Sequence, residues 1–73
     1  MTKYIARYRI WPVGSVDFSF LVREINSKDD VLAVRRACEI RREEYFSGMG
    51  GVSVDVLSVR VSSSGRFVYR KTA

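Results

Sequence analysis

Only one stretch of this chain has the hydrophobic period of a helix, and every other apolar stretch alternates as a strand does. The helix is predicted to start within Asn26–Asp30 and to run to about Phe46. Its apolar stripe, at three- and four-residue spacing, consists of Val31, Val34, Ala37, Cys38 and Tyr45, flanked by Ala33 and Ile40. With one helix and several strands, the efficient arrangement is a sheet with the helix packed on one face.

Four segments alternate between apolar and polar residues, which is typical of half-buried strands. They are Tyr4–Trp11, Val16–Ile25, Val52–Val61 and Arg66–Lys71. The alternation changes phase near Val56 and Leu57, so we expect either a β-bulge there or a strand buried on both faces. Turn-forming residues join the strands of each pair and lie at Pro12–Ser15 and Ser62–Gly65.

The ends of the helix have recognisable signals. Ser27 is predicted to cap the N-terminus, with Asp29 and Asp30 in the first turn, where the helix dipole favours negative charge. Ser47-Gly48 is the predicted stop. The run Gly48-Met49-Gly50-Gly51 contains G-x-x-G, but a phosphate-binding loop leads from a strand into a helix, and this run leads out of one. We interpret it as a connector.

These elements predict a single small α+β domain spanning residues 1–73, in the order β-β-α-β-β. It should contain one four-stranded, mainly antiparallel sheet with a single helix packed on one face. The strand order is left open. A chain of 73 residues buries only about 60% of its unfolded surface, so association with a partner or a second copy would add stability.

The alternation of the first two strands predicts which side chains meet the helix. On the covered face we expect Tyr8, Ile10, Phe18 and Phe20. On the other face we expect Ile5, Arg7, Arg9, Trp11, Leu21 and Arg23. No further helix is predicted to cover this second face, so an arginine-rich and aromatic surface should be exposed.

The residue types argue against catalysis and metal binding. The chain has no histidine, which is the commonest general base and metal ligand. Cys38 lies mid-helix on the apolar stripe and is expected to be a buried core residue. Glu39 and Glu43 share a helix face with several arginines, which indicates a solvated ion-pair surface. We therefore expect that the protein is not an enzyme and that it binds no metal and no cofactor. The sequence indicates no small-molecule substrate.

Arg41 falls inside the apolar stripe of the predicted helix. We expect its long side chain to extend past the sheet edge. The alternative is an ion pair with a buried acid.

The function predicted from these residues is binding. The chain carries 13 basic and 8 acidic residues, a net charge of +5, and ten of the bases are arginine. We expect a protein partner or a second copy, as in a homodimer, bound through the uncovered sheet face or a sheet edge. The residues predicted to contribute are Arg7, Arg9, Trp11, Leu21, Arg23, Arg66 and Arg70.

Two alternatives remain for the same residues. Nonspecific nucleic-acid binding would use the arginines on phosphates and Trp11 or Tyr69 as a stacking platform. Otherwise the residues are scattered surface groups whose arginine stems lie over apolar neighbours.

The cellular location is predicted from what the sequence lacks. One cysteine permits no internal disulfide. Basic residues interrupt the first eleven positions, which is not typical of a signal peptide. The longest apolar run is Val31–Val34, far shorter than the roughly 20 residues of a membrane span. We therefore expect a cytoplasmic protein that does not associate with membranes.

Overall fold

The computed structural model describes residues 1–45 and 52–72 of the chain. The strands are β1 (Thr2–Pro12), β2 (Ser19–Ser27), β3 (Val52–Val61) and β4 (Phe67–Arg70), and the helix is α1 (Asp30–Tyr45). The strands form one antiparallel sheet in the order β2-β1-β3-β4. Across these described residues, the predicted α+β fold, β-β-α-β-β with a single helix, is confirmed. The predicted helix stop and the Gly48–Gly51 connector lie outside the described residues.

Two glycine-containing turns bring the strands of each pair together. In the first, Ser15 donates its N–H to the Pro12 carbonyl (3.1 Å), and Gly14 has a φ of 84°. In the second, Gly65 donates its N–H to the Val61 carbonyl (2.8 Å) and has a φ of 74°. Glycine adopts these positive angles without the Cβ penalty that other residues incur.

Of the two alternatives expected for β3, the bulge is confirmed. Arg7 lies opposite Ser58 and Tyr8 opposite Val56, which leaves Leu57 as the extra residue. The bulge brings apolar residues from both halves of the strand to the helix side. Four of them are buried there: Val54, Val56, Val59 and Val61.

The core lies between α1 and one face of the sheet. Ala33 and Ala37 are completely buried, and their small side chains allow the helix to approach the strands closely. Tyr8 rises from the centre of the sheet and donates its hydroxyl to the Ala37 carbonyl (2.8 Å). This bond satisfies the polar end of a fully buried aromatic side chain.

The prediction that Phe18 and Phe20 face the helix was wrong. Residues directly opposite each other in an antiparallel pair share a face. Tyr8 lies opposite Leu21 and Ala6 opposite Arg23, so Leu21 and Arg23 point to the helix side, and their predicted placement on the uncovered face was also wrong. Both rows of β2 contain apolar residues, and the pairing register with β1 decided between them.

The buried side of α1 is also rotated from the predicted stripe. Ala33, Ala37 and Ile40 are buried, whereas Val31 and Cys38 are exposed. The expectation of a buried Cys38 was therefore wrong. Alanines permit a closer helix–sheet approach than valine or cysteine, and the helix packs through them.

Asp29, just before α1, and Arg41, within it, both have structural roles. Asp29, rather than the predicted Ser27, caps α1: its carboxylate accepts the Leu32 N–H (2.9 Å). Ser27 is buried and donates its hydroxyl to the Asp29 carbonyl (3.1 Å). Arg41 was expected to extend past the sheet edge; in the structure its Nε donates to the Val54 carbonyl at that edge.

Within residues 1–45 and 52–72, no helix combines the length and the apolar character that crossing a bilayer requires.

Candidate functional site

The sheet face opposite α1 is not covered by any element of the described chain, and we call it the open face. Strand pairing assigns side chains to it from all four strands. They include Lys3, Ile5, Arg7, Arg9, Trp11, Phe20, Val22, Glu24, Asp55, Ser58, Arg60, Phe67 and Arg70.

The most unusual feature of the open face is an exposed apolar row along β2. Phe20 and Val22 have 52% and 55% of their surface exposed, and Phe18 at the end of the β1–β2 loop has 54% exposed. The rings of Phe18 and Phe20 pack edge to face, with centroids 5.5 Å apart. Scattered exposed apolar residues are ordinary, but a contiguous group on one face is typical of an interaction surface.

Arginine side chains lie directly over these aromatic rings. The Arg7 guanidinium carbon is 4.3 Å from the Phe20 ring centroid. Arg9 lies 4.9 Å from the Trp11 ring and 5.7 Å from the Phe18 ring. These are cation–π distances, so the guanidinium groups are attracted to the ring faces.

A third stack forms near β4, where the Arg70 guanidinium lies 5.0 Å from the Phe67 ring centroid. The open face therefore presents alternating rings and positive charges along β1 and β2, with a smaller group of the same kind at β4.

The charge of the open face is predominantly positive. Its basic side chains, Lys3, Arg7, Arg9, Arg60 and Arg70, outnumber the two acids Glu24 and Asp55.

Asp55 is held in a double ion pair at this face. It accepts hydrogen bonds from Lys71 Nζ (2.8 Å) and Arg9 Nη2 (3.3 Å). The Lys71 ammonium, followed by Arg9, holds the pKa of Asp55 below its usual value. By contrast, Glu24 has a longer contact of 3.9 Å with Lys3.

The structure brings together four of the seven predicted site residues. Arg7, Arg9, Trp11 and Arg70 lie on the open face. Leu21 and Arg23 lie on the helix side, as described above.

Arg66 lies away from the open face. Its Nη1 and Nη2 atoms bond the Asp30 carboxylate (3.2 Å each to Oδ2) at the start of α1. Tyr4 donates its hydroxyl to the same carboxylate (2.8 Å). The Arg66 guanidinium, followed by the Tyr4 hydroxyl, holds the pKa of Asp30 below its usual value. Arg66 thus completes an intramolecular charge network that is exposed to solvent.

Sequence reasoning missed several residues of the open face, among them Arg60, Phe20, Val22 and Phe67. Arg60 had a usable signal, because it alternates with Val59 and Val61, which face the helix. The signal for Phe20 and Val22 was misleading, because they belong to the more apolar row of β2 and were therefore expected to face the helix. Phe67 had no clear signal, since the register of β4 shifts beside it.

The described residues do not assemble a metal site. No group of three or more His, Cys, Asp or Glu side chains lies close enough together within residues 1–45 and 52–72 to hold an ion. The chemistry that the open face offers is contact chemistry: apolar area, ring faces and guanidinium donors.

No family model matches the chain, and no curated protein or solved structure has significant similarity to it. The function is therefore inferred from the open face.

Proposed function

We propose that this chain is a small, non-catalytic binding module whose open face docks on a protein surface. The observation that carries the proposal is the exposed row of Phe18, Phe20 and Val22, each with about half its surface in solvent. Leaving such a row exposed costs free energy, at about 25 cal/mol per Å² of apolar area, which a docked protein would recover.

The arrangement of the arginines favours a protein over a nucleic acid. Base stacking needs an accessible ring face, and Arg7 lies over the ring of Phe20 while Arg9 lies over that of Trp11. Aromatic and arginine side chains in a partly apolar setting are characteristic of protein interface hot spots. Val22 and Ile5 add aliphatic area that phosphate recognition does not require.

The non-catalytic part of the proposal is supported by residue chemistry. The chain has no histidine, and its one cysteine lies on the exposed side of α1. A single exposed thiol also suits a reducing compartment, so we place the protein in the cytoplasm.

Photo-cross-linking in the native host tests the protein-binding proposal. A benzophenone amino acid replaces Phe20 on the open face, and in a matched control it replaces Leu32, an exposed apolar residue of α1. We expect a discrete protein adduct at position 20 that is absent at position 32. Equal labelling at both positions would overturn the proposal.

Nucleic-acid binding is the second candidate, favoured by the excess of basic over acidic side chains on the open face. Fluorescence anisotropy with labelled single- and double-stranded DNA and RNA, at increasing salt, tests it. If the open face bound phosphates, its affinity would fall steeply as salt rises and would be weaker in Arg7→Gln and Arg9→Gln variants. We expect no saturable binding at low salt. Tight binding with both signatures would replace the protein proposal.

A further inference from the structure

The outer edge of β2 is the longest unpaired strand edge in the described chain. β2 is nine residues long, lies at the end of the sheet and pairs with β1 in an unbroken register. Long, regular edges are templates for pairing with another strand. The inference below rests on the proposed function, because Phe20 and Val22 belong to both the open face and this edge.

The hydrogen-bond pattern shows which backbone groups of β2 are available. Ser62 donates its N–H to the Lys3 carbonyl (2.9 Å), so odd-numbered residues at this end of β1 direct their backbone groups to β3. Even-numbered residues of β1 therefore bond to β2, where their partners are odd-numbered. It follows that Phe20, Val22 and Glu24 direct their N–H and C=O groups away from β1, toward the unpaired edge.

We propose that β2 pairs in antiparallel fashion with β2 of a second copy of this chain, about a two-fold axis at Val22. The two four-stranded sheets then form one continuous sheet, with both open faces on the same side. Phe20, Val22 and Glu24 of each copy contribute about six intermolecular backbone hydrogen bonds in this register.

Side-chain chemistry supports this register. Val22 lies opposite Val22 of the second copy, and Phe20 lies diagonally across from it, so the exposed apolar rows merge. Phe20 lies directly opposite Glu24 of the second copy. Because the Arg7 guanidinium lies over the Phe20 ring, it meets that carboxylate. Within one chain, the contact of Glu24 with Lys3 is 3.9 Å long, so Arg7 of the second copy adds a second cation beside this carboxylate.

The neighbouring registers are less favourable. A two-fold axis at Arg23 would place two arginines opposite each other, and an axis at Glu24 would pair two carboxylates. An axis at Leu21 brings no like charges together, but β2 begins at Ser19, so it pairs a shorter stretch.

The opposite side of the sheet is less suited to pairing. β4 has four residues and a register shift, and beyond its end Arg41 occupies the Val54 carbonyl of β3. Short edges, bulges and charged groups of this kind oppose strand addition.

A proline substitution tests the backbone pairing. Val22→Pro removes the N–H at the two-fold axis, and because that N–H points away from β1, the internal ladder keeps its bonds. Val22→Thr is the matched control, which retains both the N–H and β-branching. By light scattering we expect a parent dimer of about twice the 8.4 kDa chain mass. We expect V22P to weaken dimerisation at least about tenfold and V22T to weaken it much less.

A charge-exchange cycle tests the register without introducing proline. Circular dichroism checks that each variant is folded before its dimer affinity is measured. Glu24→Lys and Arg7→Glu should each weaken the dimer several-fold, because each places like charges across the two-fold axis. The double variant should recover part of the loss.

The outcomes separate this inference from the proposed function. A parent chain that stays monomeric at high concentration, or a dimer equally tolerant of V22P and V22T, overturns the β2 pairing. If such a chain still forms a discrete adduct with a different protein at position 20, the protein-binding proposal stands. A cross-link to nucleic acid alone overturns both.

Discussion

Asp30 joins three parts of the chain through one carboxylate. It is the first residue of α1, it accepts the Tyr4 hydroxyl from β1, and it pairs with Arg66 after the β3–β4 turn. The sequence placed Asp30 in the first helical turn but assigned Arg66 to the predicted protein or nucleic-acid interface. Nothing local to Arg66 indicates a partner 36 positions earlier in the chain.

This network predicts a pH dependence of stability. The folded pKa of Asp30 lies below its unfolded value, chiefly because Arg66 bonds the ionised form. Its stabilising contribution is fully present above about pH 4 and is lost as the pH falls through the lowered pKa. Chemical unfolding of Asp30→Asn should therefore lose less stability than the parent between about pH 5 and pH 2.

The control for this prediction removes the cation. Arg66→Gln should flatten the acid profile in the same direction, because the lowered pKa of Asp30 depends first on that guanidinium. Profiles of both variants that run parallel to the parent would show that the network does not contribute to stability.

Among the elements, β3 has an irregularity that is indicated by a change in its apolar alternation. Its apolar residues change phase at Val56 and Leu57, and the structure has the extra residue there. The phase change indicated an irregularity at this position, and the pairing with β1 shows that it is a bulge, which keeps both apolar runs on one face. The face of β2 is not readable in this way, since each of its rows contains apolar residues.

The bulge predicts how β3 tolerates a deletion. Removing Leu57 leaves Val54, Val56 and Val59 in strict alternation, so the sheet should still form, with a loss of stability of about 1–2 kcal/mol. Removing Arg7 from β1, which has no extra residue, turns either Tyr4 or Tyr8 out of the core and should unfold the domain. Thermal unfolding followed by circular dichroism measures both. Unfolding of the Leu57 deletion would mean that the bulge itself is required.

At the scale of the whole molecule, one helix shields one face and leaves the other for binding. This layering was predictable, because it follows from counting one helical and four alternating segments. Which row of β2 side chains faces the helix was not predictable, and as a result the open face is more apolar than the sequence suggested. Phe20 and Val22 stand where Leu21 and Arg23 were expected.

The two faces of β2 predict contrasting effects of the same substitution. Phe20→Ser should cost less than about 1 kcal/mol, because the ring is half exposed. Ile25→Ser should cost about 3 kcal/mol or more, because it leaves a cavity and buries a hydroxyl. Denaturant unfolding at concentrations where the chain is monomeric compares them. The reverse order would place Phe20 in the core.

The sequence by itself determined the number, kind and order of the elements, the phase change within β3, and the placement of Arg7, Arg9 and Trp11 on the uncovered face. The tertiary structure decided the strand order, the face of β2, the rotation of α1 that exposes Cys38, and the pairing of Arg66 with Asp30. The physical reason is that a period of two defines two rows of side chains but is symmetric between them. Only the register against a neighbouring strand selects the row that is buried.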